Sequence, residues 1–223
     1  MAVTELAWLT AASGVLTNEA KEATNQALIV QDEWTALNAP DLPKDRDGRG
    51  VALFQQVEDP AICLLMAHWG SVAQHGVWLE SPENKKVFPG LGDYYELEKT
   101  SLFHLENIWL FNSSGVPGEI SLLESPVISV RKTTILAEKR QEFEKQWEEV
   151  KGLLEDFAKP YVVRFAWRIE KTDPGLEEFV LTCGWPSVER HQEWAKDPSF
   201  EKYASVLLPF RQSQDVKHYQ RIL

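Results

Sequence analysis

Hydrophobic residues recur along this chain with two periods, and the two periods alternate in the same order in each half. Phe143, Trp147, Val150, Leu154 and Phe157 step by four, three, four and three, which places one apolar stripe on one face of a helix. Just beyond, Tyr161, Val163, Phe165, Trp167 and Ile169 alternate with Val162, Arg164, Ala166 and Arg168, the period of a strand with two different faces. The second half therefore reads as a strand over 126–135, the striped helix, a strand over 161–169, the turn TDPG at 172–175 and a strand over 177–185. A helix capped by Ser187 and restarted at Asp197-Pro198 follows, and a strand over about 214–222 ends the chain. The first half reads alike: a strand over 3–10, a helix capped by Thr17 or Asn18 and running to about Leu37, and strands over 51–58 and 61–69 around Asp59-Pro60. Ser71 then caps a helix with Gln74 placed for a capping box, Ser81-Pro82 restarts it, and a last strand covers roughly 96–111.

One spaced pattern ties the halves together. Trp69, Ser71, Val72, His75 and Trp78 read W-x-S-V-x-x-H-x-x-W, and Trp185, Ser187, Val188, His191 and Trp194 read the same, every identity offset by 116 positions. Pro82 and Pro198 keep that offset. The pattern predicts a duplicated and fused unit: a first repeat over 1–112, a linker over 113–125 and a second repeat over 126–223. Each repeat has the order β-α-β-β-α-β, which gives an α+β, ferredoxin-like unit with helices on one face of a four-stranded antiparallel sheet. A sheet covered on one side needs cover on the other, so the expectation is two tandem units packed sheet to sheet as a pseudo-dimeric α/β barrel, either a monomer or a homodimer of it.

Composition narrows the partners. A net charge of −11 and no basic run longer than Arg131-Lys132 argue against nucleic acid and against an anionic membrane surface. No apolar stretch reaches membrane-spanning length and no signal-peptide pattern is evident, so a cytoplasmic setting is expected. Cys63 and Cys183 are not equivalent between repeats and read as free buried thiols. Nine tryptophans are many for 223 residues; they serve packing first and the walls of a small-molecule pocket second.

A strand ending in Trp, then x-Ser, then a helix with an aromatic nine positions after the first Trp, resembles the dimeric α/β-barrel superfamily. Within it the chain looks like the antibiotic-biosynthesis monooxygenase type, especially the fused tandem versions common in fungi. That resemblance implies a ligand cavity between helices and sheet. It also implies chemistry drawn from cofactor-free oxygenation, polyketide cyclisation or haem degradation. The iron-ligating His of the haem-degrading branch would fall at Phe88 and Ala204, and the Asn expected on the first strand is missing from VTELAWLT. The catalytic His of the plant cyclase branch would fall at Asn84 and Phe200. The fold carries over and neither catalytic set does.

The candidate site residues follow. His75 and His191, three positions before Trp78 and Trp194, share a helical face with them and are candidate acid–base catalysts; their presence in both repeats favours the other reading, a buried anchor for a backbone carbonyl or strand end. His104 on the last strand of repeat one shares a face with Glu106 and is a third catalytic candidate, while His218 matches it loosely, at an offset of 114. Trp69, Trp78, Trp185 and Trp194 are candidate ligand-binding walls, Tyr94 a donor to an enolate or phenolate, and Arg164 a partner for an anionic ligand or for a carboxylate. His68 has no counterpart in repeat two, and the polar loop 39–50 reads as a lid or as a disordered segment. No metal-ligand spacing, phosphate loop or G-x-S-x-G occurs, so no metal and no cofactor are expected. The expected function is cofactor-independent cyclisation, isomerisation or oxygenation of an aromatic or polyketide-like small molecule. A non-catalytic barrel holding a hydrophobic ligand or serving a stress response, and haem binding by ligands unlike the family's, are the alternatives.

Overall fold

The period-2 runs become strands and the period-3.6 stripes become helices laid across them. The computed structural model describes residues 1–112 and 115–223; Ser113 and Ser114, in the segment read as a linker, lie outside the described residues. Two units emerge, one of Met1–Asn112 with Gln220–Leu223 and one of the described residues from there to Tyr219.

The first unit contains β1 (Val3–Thr10), α1 (Asn18–Asn38), β2 (Ala52–Gln56), β3 (Ile62–Trp69), α2 (Val72–Leu79), α3 (Pro82–Val87) and β4 (Ser101–Glu106). Its strands lie in the order β4-β1-β3-β2, all antiparallel. The second contains β5 (Val127–Leu136), α4 (Arg140–Ala158), β6 (Val163–Trp167), β7 (Leu176–Trp185), α5 (Val188–Trp194), α6 (Pro198–Leu207) and β8 (Arg211–Arg221), with the order β8-β5-β7-β6, again antiparallel. Both are ferredoxin-like β-α-β-β-α-β units, as the alternation of periods predicts. The last residues of the chain extend the first unit: Ile222 N donates to Leu53 O at 2.8 Å and Leu53 N to Leu223 O at 3.3 Å, which occupies the open edge of β2.

The helices start where the caps predict. Thr17 Oγ1 accepts from Ala20 N, Ser71 Oγ from Gln74 N, Ser81 Oγ from Asn84 N, Ser187 Oγ from Arg190 N and Asp197 from Ser199 N. The capping box at Ser71 closes one residue early, because Gln74 Oε1 accepts from Gly70 N. The α4 stripe buries Phe143, Trp147, Val150 and Leu154 against β6 and β7, each worth about 1.5–3 kcal/mol of transfer free energy. Cys63 and Cys183 are buried free thiols, and burial pushes Cys63 up to about 12. No described helix is long and apolar enough to cross a membrane.

Three local expectations change. β4 begins at Ser101 rather than near 96, because 3-10 turns at Phe88–Asp93 and Leu97–Lys99 take up the Gly- and Pro-containing approach. β6 begins at Val163, since Tyr161 bridges Ile120 in the preceding segment instead. The 39–50 loop is neither lid nor loose. Arg46 Nε donates to Asp32 Oδ2 at 2.5 Å, and the buried Arg49 donates to Asp32 and to the carbonyls of Pro43 and Lys44, so α1 clamps the loop. The clamp ends at Gly50, whose φ of +59° lets the backbone pass beneath the His68 ring. A Cβ there would lie 2.3 Å from His68 Cε1. Gly50→Ala is therefore expected to destabilise the protein by about 1–3 kcal/mol, through left-handed backbone and overpacking together. A urea midpoint equal to that of the wild type would disprove that account.

Candidate functional site

Each β-strand that ends in the motif tryptophan hands the chain to a Ser-capped helix, and that turn decides where the imidazole goes. One helical turn after the Ser71 cap, His75 folds back over the strand it came from. Its ring stacks on Trp69 with centroids 4.7 Å apart and planes 13° apart. Its Nδ1 then meets His104 Nε2 at 2.7 Å, so β3, α2 and β4 are tied through two imidazoles and an indole. The second unit repeats this. His191 stacks on Trp185 at 4.6 Å and 14°, and its Nδ1 meets His218 Nε2 at 2.7 Å.

The equivalence of His104 and His218, only loose by offset, is set by sheet register. His104 pairs with Glu5 and His218 with Ser129, while Glu5 also pairs with Ala67 and Ser129 with Cys183, two residues before the motif tryptophans. Register also identifies the carboxylate that serves the pair in the first unit. It is Glu5, on the neighbouring strand, opposite His104. Trp69 Nε1 donates to Glu5 Oε2 at 2.8 Å, and His75 Nε2 lies 3.3 Å from the same oxygen. Glu5 is 5% exposed, and burial pushes its carboxyl up to about 7 against the downward pull of the Trp69 hydrogen bond and His104. In the second unit Trp185 Nε1 donates to Ser129 Oγ at 2.9 Å, so a hydroxyl stands in for the carboxylate. Sequence reasoning passed over Glu5, yet a signal was present: it is the one charged residue on the inward face, with Val3, Ala7 and Leu9, of an apolar strand.

Both units enclose a hollow between helices and sheet. That of the first is about 90 Å³ and is lined by Glu5, His75, Trp78, Thr24, Gln31 and Asn84 among others. Gln31 Oε1, buried there, has no hydrogen-bond partner. The hollow of the second unit is about 320 Å³, with aromatic walls from α4, β7 and α6. Among the described residues, no group of three or more His, Cys, Asp or Glu is placed to hold a metal ion.

The other predicted residues take varied places. Trp78 lines the first hollow and packs on Trp34, with centroids 5.4 Å apart. Trp69 backs His75, while Trp185 and Trp194 are buried in the core of the second unit, where Phe157 packs on both. Tyr94 packs at the margin of the core around Leu9 and Leu91; its neighbour Tyr95 is buried within that core and shares a 2.8 Å hydrogen bond with Thr24, which lines the hollow. Arg164 lies 3.8 Å from Glu119 and donates to Val163 O, and Arg168 lies 3.4 Å from Glu178, so both arginines have carboxylates. His68 stacks on Trp109 and accepts from Phe111 N at 3.0 Å, and burial holds it down to about 3, which leaves it neutral at neutral pH.

No protein-family model matches the chain, and no curated protein matches it in sequence. Solved structures do match along its whole length. An anthrone oxidase-like protein aligns over 100% of this chain and 92% of its own, with a TM-score of 0.61 and 13% identity. A proposed monooxygenase from Lactobacillus acidophilus NCFM aligns over 99% and 93%, with a TM-score of 0.57 and 10% identity. Another from Fusobacterium nucleatum aligns over 100% and 93%, with a TM-score of 0.55 and 6% identity. At these identities the likeness shows the fold.

The raised Glu5 carboxyl has a consequence for stability. From pH 4.5 to about 7 the unfolded chain has released the Glu5 proton while the folded chain still holds it, so stability falls as pH rises through that window. Glu5→Gln removes this dependence. The stability difference between variant and wild type is expected to move in favour of the variant by on the order of 3 kcal/mol between pH 4.5 and pH 8. His68 titrates in both proteins and cancels. Parallel stability–pH curves from urea melts would rule out a protonated buried Glu5.

Proposed function

We propose that this protein is a cofactor-independent enzyme of small-molecule metabolism, a fused tandem member of the antibiotic-biosynthesis monooxygenase type of the kind common in fungi. It draws a proton from an aromatic or polyketide-like substrate in the hollow of its first unit. The observation that carries this reading is the chain Glu5–His75–His104, two members of which line that hollow.

Two proton arrangements satisfy the chain. With Glu5 ionised, His75 donates its Nε2 proton to Glu5 and accepts the Nε2 proton of His104 at Nδ1. With Glu5 protonated, Glu5 donates to His75 Nε2, and His75 Nδ1 donates to His104 Nε2. The second arrangement holds one proton more than the first. A proton taken from substrate by ionised Glu5 stays on its carboxyl, because His75 Nε2 already carries one, and the base is regenerated when Glu5 gives it to the product anion or to water. A carboxyl near 7 is basic enough to take a proton from an acidic C–H or phenol and weak enough to pass it on. The resulting anion is reprotonated elsewhere in isomerisation, adds to an internal carbonyl in cyclisation, or is oxidised by dioxygen in oxygenation. Gln31, with its unpaired buried oxygen, is placed to hold a substrate hydroxyl. A hollow of about 90 Å³ admits one ring, so the reacting part is a single ring or the end of a larger one.

A second reading has an observation of its own. The second unit keeps the indole–imidazole–imidazole tie with Ser129 where the first has Glu5, which favours a structural role for the histidines and a non-catalytic ligand-binding protein. Haem ligation by His75 is disfavoured, since both its ring nitrogens are engaged.

The probes are phenylpyruvate, whose enol–keto tautomerisation is followed by absorbance, and anthrone, whose oxidation in air consumes dioxygen and releases water. Wild type is expected to accelerate at least one, with kcat rising through about pH 7. Glu5→Gln and His75→Asn are expected to lose roughly 10²-fold or more while remaining folded by circular dichroism. Rates no greater than those in buffer, or variants that lose only melting temperature, would favour the binding protein.

A further inference from the structure

The second hollow differs from the first in charge as well as size. Arg131, on β5, occupies the place that Ala7 holds on β1: Ala7 pairs with Leu65 and Leu102, and Arg131 with Leu181 and Val216. Its half-buried guanidinium enters a cavity of about 320 Å³ walled by Phe143, Phe179 and Phe200. Among the described residues that guanidinium makes one hydrogen bond, to Tyr203 Oη at 2.9 Å, and has no carboxylate at ion-pair distance. By contrast Arg49, Arg164 and Arg168 all have one. No Asp or Glu lines the cavity, although the chain carries a net charge of −11, and Arg211 adds a second cation at its rim.

Apart from Thr133 and Gln214, which donate or accept, the polar groups of this cavity are placed to donate. Trp147 is 1% exposed and lines it, yet its Nε1 has no hydrogen-bond partner. Tyr203 Oη accepts from Arg131, which leaves its own proton to donate. A desolvated cation and a buried indole N–H are each costly when unmatched. We propose that the second unit binds an aromatic organic anion, a carboxylate or phenolate on one to three rings. Its charged oxygen pairs with Arg131 and accepts from Trp147, and its rings lie among the three phenylalanines. The volume falls within the range usual for small-molecule pockets. This site stands apart from the acid–base reading of the first unit and survives if that reading fails.

The test is titration calorimetry with 2-naphthoate and its neutral isostere 2-naphthamide, on the full chain at neutral pH. Naphthoate is expected to bind at one site at least ten-fold tighter than naphthamide, in line with charge-assisted hydrogen bonds. Arg131→Met should abolish that preference, and Arg131→Lys should restore part of it. Trp147→Phe should weaken naphthoate binding without loss of fold, and Glu5→Gln should leave it unchanged. A merely structural Arg131, stacked over the Tyr203 ring at 5.8 Å, would lower melting temperature without altering discrimination between the two probes. The proposal is overturned if naphthoate binds no tighter than naphthamide, if the preference survives Arg131→Met, or if Glu5→Gln removes it. Replacing naphthoate by 2-naphthol across pH 7–10.5 separates the two anion types. Binding that strengthens as the phenol ionises assigns the phenolate as well as the carboxylate, and naphthoate binding alone assigns the carboxylate.

Discussion

A flat imidazole pressed on an indole at the end of a strand is the contact on which the rest of each unit depends. Trp69 and Trp185 end β3 and β7, and the serine cap two residues later turns the chain back. His75 and His191 then cannot avoid the indole face, and each spends Nδ1 on a histidine of the last strand. A strand, the helix that follows it and the last strand of the unit are thereby fixed to one another by stacking and by one short hydrogen bond. In the first unit both rings are buried, so an unmatched nitrogen would cost about 1–3 kcal/mol; in the second the tie is partly buried.

Both units keep this tie, and its surroundings differ in charge. On the first strand of each unit the inward positions beside the tie are Glu5 and Ala7 in one copy, Ser129 and Arg131 in the other. One copy thus buries a carboxyl that holds its proton to about pH 7, and the other presents a guanidinium without a carboxylate. Buried charge of this kind weakens a fold unless something repays it. Such sites therefore cluster where ligands or protons are handled. The scaffold is the same in both, and polarity distinguishes the two hollows: Glu5 and His75 border one, Arg131 the other.

Size diverged with charge. In the first unit, turns at Phe88–Asp93 carry Leu91 and Phe88 to the hollow and leave about 90 Å³, enough for a ring. In the second, α6 runs for ten residues from Pro198 to Leu207, and its side of the cavity stays open to about 320 Å³. The small hollow is bordered by Glu5 and His75 and the large one by the cation, so the two differ in capacity and charge together.

What the sequence determined by itself was local. The 3.6-residue stripe from Phe143 to Phe157, the alternation around Val163 and the serine and proline caps are near-neighbour effects, so the two β-α-β-β-α-β units were legible, as was His75 on one face with Trp78. Strand ends at Ser101 and Val163 were missed because turns and a bridge to Ile120 compete there. The partners of the histidines were decided only by tertiary structure, because register brings Glu5 to His104 across 99 positions of chain and no periodicity encodes which strand lies beside which. The same holds for Arg131. In sequence it is half of a short basic pair, and only the closure of α4 and α6 over β5 places its charge inside an aromatic cavity, where the absence of a carboxylate acquires meaning.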